Sequence, residues 1–369
     1  MTNIVERKRP IGSVIGSILS YIVFITWTLI TIIPLGWMFY SSFKSNEELT
    51  RDIYALPHDL FNNYDDEYVV VAPSLNIVPD YDTKTDTRER LIIESTTISP
   101  TRRLMMHFRV KEDLPSEIAG RQPGDIVVVN ELPDKMQKTI HRKTIWFNYR
   151  SAIQRAGLGG KFINSIIYAG VSTFLIVIFG CMIAFAISKM QFKMLSRIVV
   201  GIIGLGYLLS INSVIIPLFL LLSSVGLTDT HLGIILVYVA FGMPLSVLLS
   251  TQFMRGLPSS LVESAYIDGA TAFRTFWSII IPMTVPVIIT ISIISALGIW
   301  NEFLLVLVLS SSDFTKSLPV GVYSFTSLTS QQLGWQLAAL VIATIPVMVV
   351  YFSFNKQITK GVVAGAVKG

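Results

Sequence analysis

Six stretches of the chain, at about 11–43, 162–187, 198–222, 231–253, 283–309 and 335–355, are long, apolar and almost free of charge. About 20 apolar residues in a helix cross the hydrocarbon core of a bilayer. In lipid the backbone can satisfy its own polar groups only within helices or closed barrels. The pattern therefore predicts an all-α polytopic membrane protein with six transmembrane helices. Composition agrees: 52% of residues are hydrophobic and 14% charged, against about 25% charged in soluble domains. The first stretch follows Arg7, Lys8, Arg9 and Pro10, as in a secretory signal. It is too long for a signal's apolar region, and no small-residue cleavage site follows, so it reads as an uncleaved spanning helix.

Charge is distributed unevenly. Of the 24 acidic residues, 18 lie between Ser41 and Gly160; the others are Glu6, Asp229, Glu263, Asp268, Glu302 and Asp313. The net charge of +5 thus describes no single surface and does not point to nucleic acid. Residues 44–160 are a different material from the rest. Tyr68–Ala72, Leu104–Val110, Asp125–Val129 and, more weakly, Leu91–Ser95 are β-like runs between Pro, Asp, Asn and Gly turns. They predict a small mostly-β insertion between helices 1 and 2, with its core at about 62–144 and amphipathic flanks at Glu47–Phe61 and Trp146–Leu158. The spacing of His58, His107 and His141 matches no zinc-site pattern. The lone Cys181 sits in an apolar run as a small hydrophobe.

Orientation follows from Lys and Arg in the short loops. Arg7, Lys8, Arg9, Lys189, Lys193, Arg197, Arg255, Arg274, Lys356, Lys360 and Lys368 fall on one side; the opposite short loops, 223–230 and 310–334, hold Lys316. Both termini and the 254–282 loop are expected to be cytoplasmic, and the insertion extracytoplasmic. The expected organisation is a cytoplasmic N-terminus and helix 1 at 1–43, the outer loop at 44–160, a core at 161–355 and a cytoplasmic tail at 356–369.

The cytoplasmic loop carries the most specific signal. Pro258 closes one span. Ser260 and Glu263 have the spacing of a capping box, and Gly269 suits a left-handed helix terminus. Thr271 can cap a second short helix, and Pro282 opens the fifth span. On spacing alone this is a compact helix–turn–helix at the membrane face or an ordinary amphipathic loop. The run Glu263-Ser264-Ala265-Tyr266-Ile267-Asp268-Gly269, followed by Ile279-Ile280-Ile281-Pro282, resembles the "EAA" loop of permeases of binding-protein-dependent ABC importers, with Ser264 and Ile281 as small departures. Trp300-Asn301-Glu302-Phe303, Leu318-Pro319-Val320-Gly321 and Thr359–Gly369 are similar to the smaller permease of the sugar (maltose-type) branch. The resemblance covers about 145–369 well, extends more weakly to 1–60 and does not cover about 62–144.

That resemblance implies a type I ABC importer permease fold and a heterodimer with a second permease. It also implies two cytoplasmic ATPase subunits that use ATP-Mg, an extracytoplasmic solute-binding protein, and alternating access for a sugar or oligosaccharide. Glu263, Ser264, Ala265, Asp268, Gly269, Ile281 and Pro282 would form the ATPase-coupling element, with Ala265 small enough for close approach. The tail either reaches the ATPase dimer or anchors at the membrane surface. The chain itself is expected to bind no cofactor and not to be an enzyme. Its nearest approach to a phosphate loop, Arg155–Phe162, lacks the first Gly and ends in Phe162 where Ser or Thr is needed.

Within the spans, Asn301 and Glu302 are the outstanding polar pair, open between cavity lining, interhelical hydrogen bonding and interface exposure. Asn212, Tyr207 and Ser210 are weaker pathway candidates, and Pro217 and Pro244 mark possible kinks. An ion-coupled carrier acting without an ATPase is the alternative; it needs several buried ionisable groups, and Glu302 stands nearly alone. A membrane-anchored sensor with a β ectodomain would have no use for the 258–282 element.

Overall fold

The computed structural model describes residues 11–44, 46–57, 60, 67–72, 91–98, 104–110, 126–128, 134, 137–138, 142, 145–155, 157–190, 193–325 and 333–366. The strands and 355–366 are described by backbone alone. Arg7, Lys8, Arg9, His58, His141, Lys368 and most of the turns of 62–144 lie outside the described residues. The chain divides into two compact units, Met1–Ser151 with Leu328–Val341, and Ala152–Ser327 with Ile342–Gly369.

The first unit begins with helix α1 (Ile11–Ser41). Its apolar side chains are uncovered on all sides from Gly16 to Gly36, which suits a helix immersed in lipid. Ser20, Thr28 and Thr31 return their hydroxyl protons to the carbonyls of Gly16, Phe24 and Trp27, so these three donors are met within the helix. Helix α2 (Asn46–Arg51) and helix α3 (Phe147–Arg155) are pinned to its end. The Asn148 amide donates to the Ser42 and Lys44 carbonyls at 2.8 and 2.7 Å. The Gly334 N–H donates to Asn46 Oδ1 at 3.0 Å. A Cβ at Gly334 would stand 2.8 Å from the Lys44 carbonyl oxygen, so only glycine fits. Strands β1 (Glu67–Ala72), β2 (Leu91–Ile98), β3 (Leu104–Val110) and β4 (Ile126–Val128) form one sheet in the order β2-β3-β1-β4. β1 runs parallel to β3, with Val70 opposite His107; the other two pairings are antiparallel.

The second unit is helical: α4 (Leu158–Lys189), α5 (Lys193–Leu208), α6 (Ile211–Ser224), α7 (His231–Arg255), α8 (Ser260–Ile267), α9 (Ala272–Thr275), a π turn (Phe276–Ile280), α10 (Ile281–Asn301), α11 (Leu304–Leu309), α12 (Leu318–Tyr323) and, from Ile342 onward, α13 (Leu333–Ala366), whose first residues belong to the first unit. Helices α4 and α7 share the most extensive helix–helix packing. Small residues allow it. A Cβ at Gly180 would lie 2.1 Å from Ser246 Oγ, and one at Gly242 would lie 2.3 Å from Ile176 Cδ1. Ser246 Oγ donates to the Ile176 carbonyl at 3.1 Å, so the polar atom in this seam is satisfied. Ile176, Val239 and Ile291 bring α10 into the same core.

Among the described residues five helices are long and apolar enough to cross a membrane, and a sixth span exists if α5 and α6 count as one. This corrects the single span expected at 198–222: the two helices meet at 102°. The break falls at Leu209–Ser210, seven residues before Pro217, which lies inside α6. Gly204 and Gly206 precede the break, as glycines often do at kinks. Helix α7 continues through Pro244. The span expected at 283–309 also ends early, at Asn301, and resumes as α11 after Glu302 and Phe303.

Candidate functional site

The 258–282 loop builds a short helix with one buried face and one free face. Val262 is buried with Cys181, Ala184, Phe185, Met254, Phe276 and Ile280. Ala265, three residues on and therefore on the same side, is 5% exposed. Ala265 thus helps to seat the helix on the bundle. Glu263, Ser264, Tyr266, Ile267, Asp268 and Gly269 face outward.

The capping box does not form. Helix α8 begins one residue earlier than the Ser260 cap implied, with Ser259 at the N-cap and no side-chain cap bond. Ser259 has φ −68 and ψ −24, already helical, so its hydroxyl does not take the extended geometry of a cap. Its carbonyl accepts from the N–H groups of Val262 and Glu263 at 3.0 and 3.1 Å. Glu263 is left in the first turn, where a carboxylate complements the positive end of the helix. The other end closes as read. Gly269 takes φ +77, its N–H donates to the Tyr266 carbonyl, and that of Ala270 to the Ala265 carbonyl. These are the two bonds of a Schellman motif. Thr271 Oγ1 accepts from the Arg274 N–H at 3.3 Å and starts α9.

Between α9 and α10 the helix widens into the π turn, with the Ile281 N–H donating to the Phe276 carbonyl. Pro282 explains it: the residue has no N–H, and its ring crowds the carbonyl four residues back. Thr284 Oγ1 donates to the carbonyls of Ile280 and Ile281, each at 3.0 Å. Ile281 is partly covered and Pro282 exposed. The sequence reading did not single out Ile267, 85% exposed, and took Phe273, 67% exposed, only as part of an apolar face of the second short helix. Neither side chain is covered by the rest of this chain. The available signal was their position off the Val262–Ala265 face.

The pathway candidates separate into two sets. Glu302 Oε2 accepts from the Tyr238 hydroxyl at 3.0 Å, and Oε1 from the Leu305 N–H at 2.8 Å. It therefore ties α7 to the α10–α11 break and caps α11. Asn301 is exposed and returns its amide to the Leu297 carbonyl. Tyr207, Ser210 and Asn212 are exposed at the α5–α6 corner. Among the described residues no hydrogen bond joins the two sets.

At the opposite end of α4 and α7 from the loop, Asp229 clasps residues 311–315. Its carboxylate accepts from the N–H groups of Ser311 and Ser312 and from the hydroxyls of Ser312 and Thr315. These bonds, the Thr315 hydroxyl foremost, hold its carboxyl below the usual carboxylate range. Asp313, bonded to Lys316 and facing Lys161 at 3.5 Å, is likewise lowered, chiefly by Lys316. The Asn164 amide donates to the carbonyls of Phe314 and Lys316. Sequence reasoning did not single out Asp229; the signal was an isolated acid in the short Val225–Thr230 link.

Residues 155–363 match the family described as binding-protein-dependent transport system inner membrane component. A probable starch degradation products transport system permease of Thermoanaerobacterium thermosulfurigenes is 31% identical over 251 residues, 67% of this chain and 91% of that protein. A melibiose/raffinose/stachyose import permease of Bacillus subtilis is 32% identical, covering 60% of this chain and 80% of its own. A trehalose transport system permease of Mycobacterium tuberculosis is 32% identical, covering 63% and 85%. In backbone, a chain of a bacterial ABC transporter involved in alginate import superposes with a TM-score of 0.60 at 18% identity, over 95% of this chain and 99% of that one.

Proposed function

The chain belongs to the family of binding-protein-dependent transport system inner membrane components, and on that premise we propose how it works. It is a permease subunit of a sugar-type ABC importer. It forms a translocation pathway together with a second permease. Two ATPase subunits on the cytoplasmic side hydrolyse ATP-Mg, and an extracytoplasmic solute-binding protein delivers a sugar or oligosaccharide. Both termini face the cytoplasm, and the 62–144 sheet lies on the outer side.

The observation that carries this reading is the α8 element: a short helix closed by a Schellman turn, seated through Val262 and Ala265, with Glu263, Ile267 and Asp268 outward. An element built that way transmits displacement instead of absorbing it, because its underside is part of the α4–α7 core. Glu263 supplies the charge and Ile267 the apolar contact for a cleft on the ATPase. Asn301, Glu302, Tyr207, Ser210 and Asn212 are the pathway candidates of this reading. A carrier coupled to ions and acting alone is not favoured, since Glu302 is already engaged by Tyr238 and Leu305.

Co-purification tests the reading. Wild-type protein solubilised from its native membrane is expected to bring an ATPase subunit with it. Glu263→Lys should lose that subunit while Glu263→Gln, which keeps shape and removes charge, should weaken the association by a smaller factor. Wild type that purifies without any ATPase would sink the proposal. Uptake of a panel of oligosaccharides by a deletion strain identifies the substrate.

A further inference from the structure

The stretch just beyond α1 is held against the helix by side-chain hydrogen bonds. Residues 52–57 fold back along the last turn of α1. The Trp37 indole N–H donates to the Ile53 carbonyl at 3.1 Å, and the Tyr40 hydroxyl donates to the Tyr54 carbonyl at 3.3 Å. Trp37 precedes the helix end at Ser41 by four residues, which at ~1.5 Å per residue places the turn about 6 Å below that end. Elements that lie in the interface bury their apolar side to about 5–10 Å.

Non-helical backbone is costly at that depth unless its polar groups are met within the protein. Here they are met. Lys44 Nζ donates to the carbonyls of Asp52 and Ile53, each at 3.0 Å. Asp52 Oδ1 accepts from the N–H groups of Tyr54 and Ala55 at 3.0 and 3.2 Å. Three successive carbonyls and two successive amides thus have side-chain partners. Lys44 is itself fully buried, so its charge serves this turn and not the solvent. Outside this satisfied backbone stand Ile53, Tyr54 (80% exposed) and Leu56 (61% exposed). They continue the uncovered apolar surface of α1 through Leu35 and Phe39. At the end of α1, Phe43 packs against Phe39, Trp146 and Tyr149, a cluster of aromatic residues such as is found at membrane boundaries.

We infer that residues 52–57 insert Ile53, Tyr54 and Leu56 into the headgroup–acyl boundary of the bilayer and fix the depth of α1. The occupant of this surface is lipid. The inference rests on α1 as a membrane span and not on the transport reading.

The test uses the full chain with its co-purifying subunits in phosphatidylcholine liposomes. Tyr54→Cys and, separately, Leu56→Cys are made in a Cys181→Ala background and labelled with an environment-sensitive fluorophore. Phe314→Cys, on an exposed residue of the Asp229-clasped loop, is the aqueous control. Expected are blue-shifted emission at positions 54 and 56 relative to 314, loss of intensity with doxyl-labelled lipid and none with iodide. Iodide quenching equal to the control overturns the inference. So does protection from both quenchers, which means that a protein covers the surface.

Discussion

Gly180→Ala tests whether the α4–α7 seam is as close as described. The added Cβ would sit 2.1 Å from Ser246 Oγ and 2.7 Å from Ser246 Cβ, where ordinary contact begins at 3.4 Å. The helices must part by about 1 Å, or Ser246 must leave its bond to the Ile176 carbonyl. Overpacking of this kind costs about 1–3 kcal/mol, and the lost hydrogen bond about 1 more. Against it stands about 1 kcal/mol from the helix preference of Ala over Gly. The net is a loss of about 1–3 kcal/mol. At about 2–4 °C per kcal/mol for a domain of some 200 residues, the temperature of half-inactivation in detergent should fall by roughly 2–12 °C. The assay is monodisperse protein remaining after heating, read by size exclusion. Ser246→Gly removes both offending atoms and leaves the next contact, a backbone carbon, at 3.5 Å. The double variant should therefore recover most of the loss, although Ser246→Gly alone destabilises. Gly170→Ala, on the same helix with nothing within 4 Å, should cost nothing. The reasoning fails if Gly180→Ala behaves like Gly170→Ala, or if the double variant merely adds the two single losses.

Asp229→Asn should loosen the 311–315 loop, read by hydrogen exchange. Because the folded carboxyl of Asp229 titrates below its unfolded value of about 3.9, its contribution is present above that pH and fades as pH falls through the lower folded value. The wild-type loop should therefore hold at pH 5 and open in stronger acid, while the Asn variant should lose that acid step. Glu302→Ala removes the α11 cap, worth about 0.5–2 kcal/mol, and leaves the Tyr238 hydroxyl unpaired, at about 1–3 kcal/mol. Glu302→Gln retains one acceptor and should lose about half as much in the same heating assay. Gly334→Ala places a Cβ 2.8 Å from the Lys44 carbonyl and 2.9 Å from Asn148 Nδ2, neither on a flexible chain end, and should lower thermal stability by about 1–3 kcal/mol.

Helix existence was legible because apolar runs and charge gaps are local properties of the chain. Gly269 and Thr271 were legible for the same reason: a left-handed terminus and a hydroxyl cap declare themselves by residue type. Ser259 was not, since two adjacent serines compete and the backbone angles that choose between them are set by Pro258 and the end of α7. The break at Leu209–Ser210 escaped because Pro217 is the louder signal nearby. The face of Ala265 escaped because an eight-residue helix has too few apolar positions to reveal its buried side; that side is defined by Phe185 and Met254, far away in sequence. Glu302 was visible as an unusual carboxylate, yet its partners on α7 and α11 appear only once the helices are assembled.

The π turn has a consequence for how Glu263 is aimed. A turn that closes on the fifth residue holds one residue more than an α turn. One residue of α-helix is about 100° of rotation and about 1.5 Å of rise. Deleting Ser278 would take that residue out of the segment joining α9 to α10 and, by up to that angle, pull the loop that carries α8 against its seat on Phe185 and Met254. The bearing of Glu263 and Ile267 toward a partner is therefore set by chain length ten residues or more away, and a one-residue change there misdirects both side chains while leaving every residue of 260–269 intact.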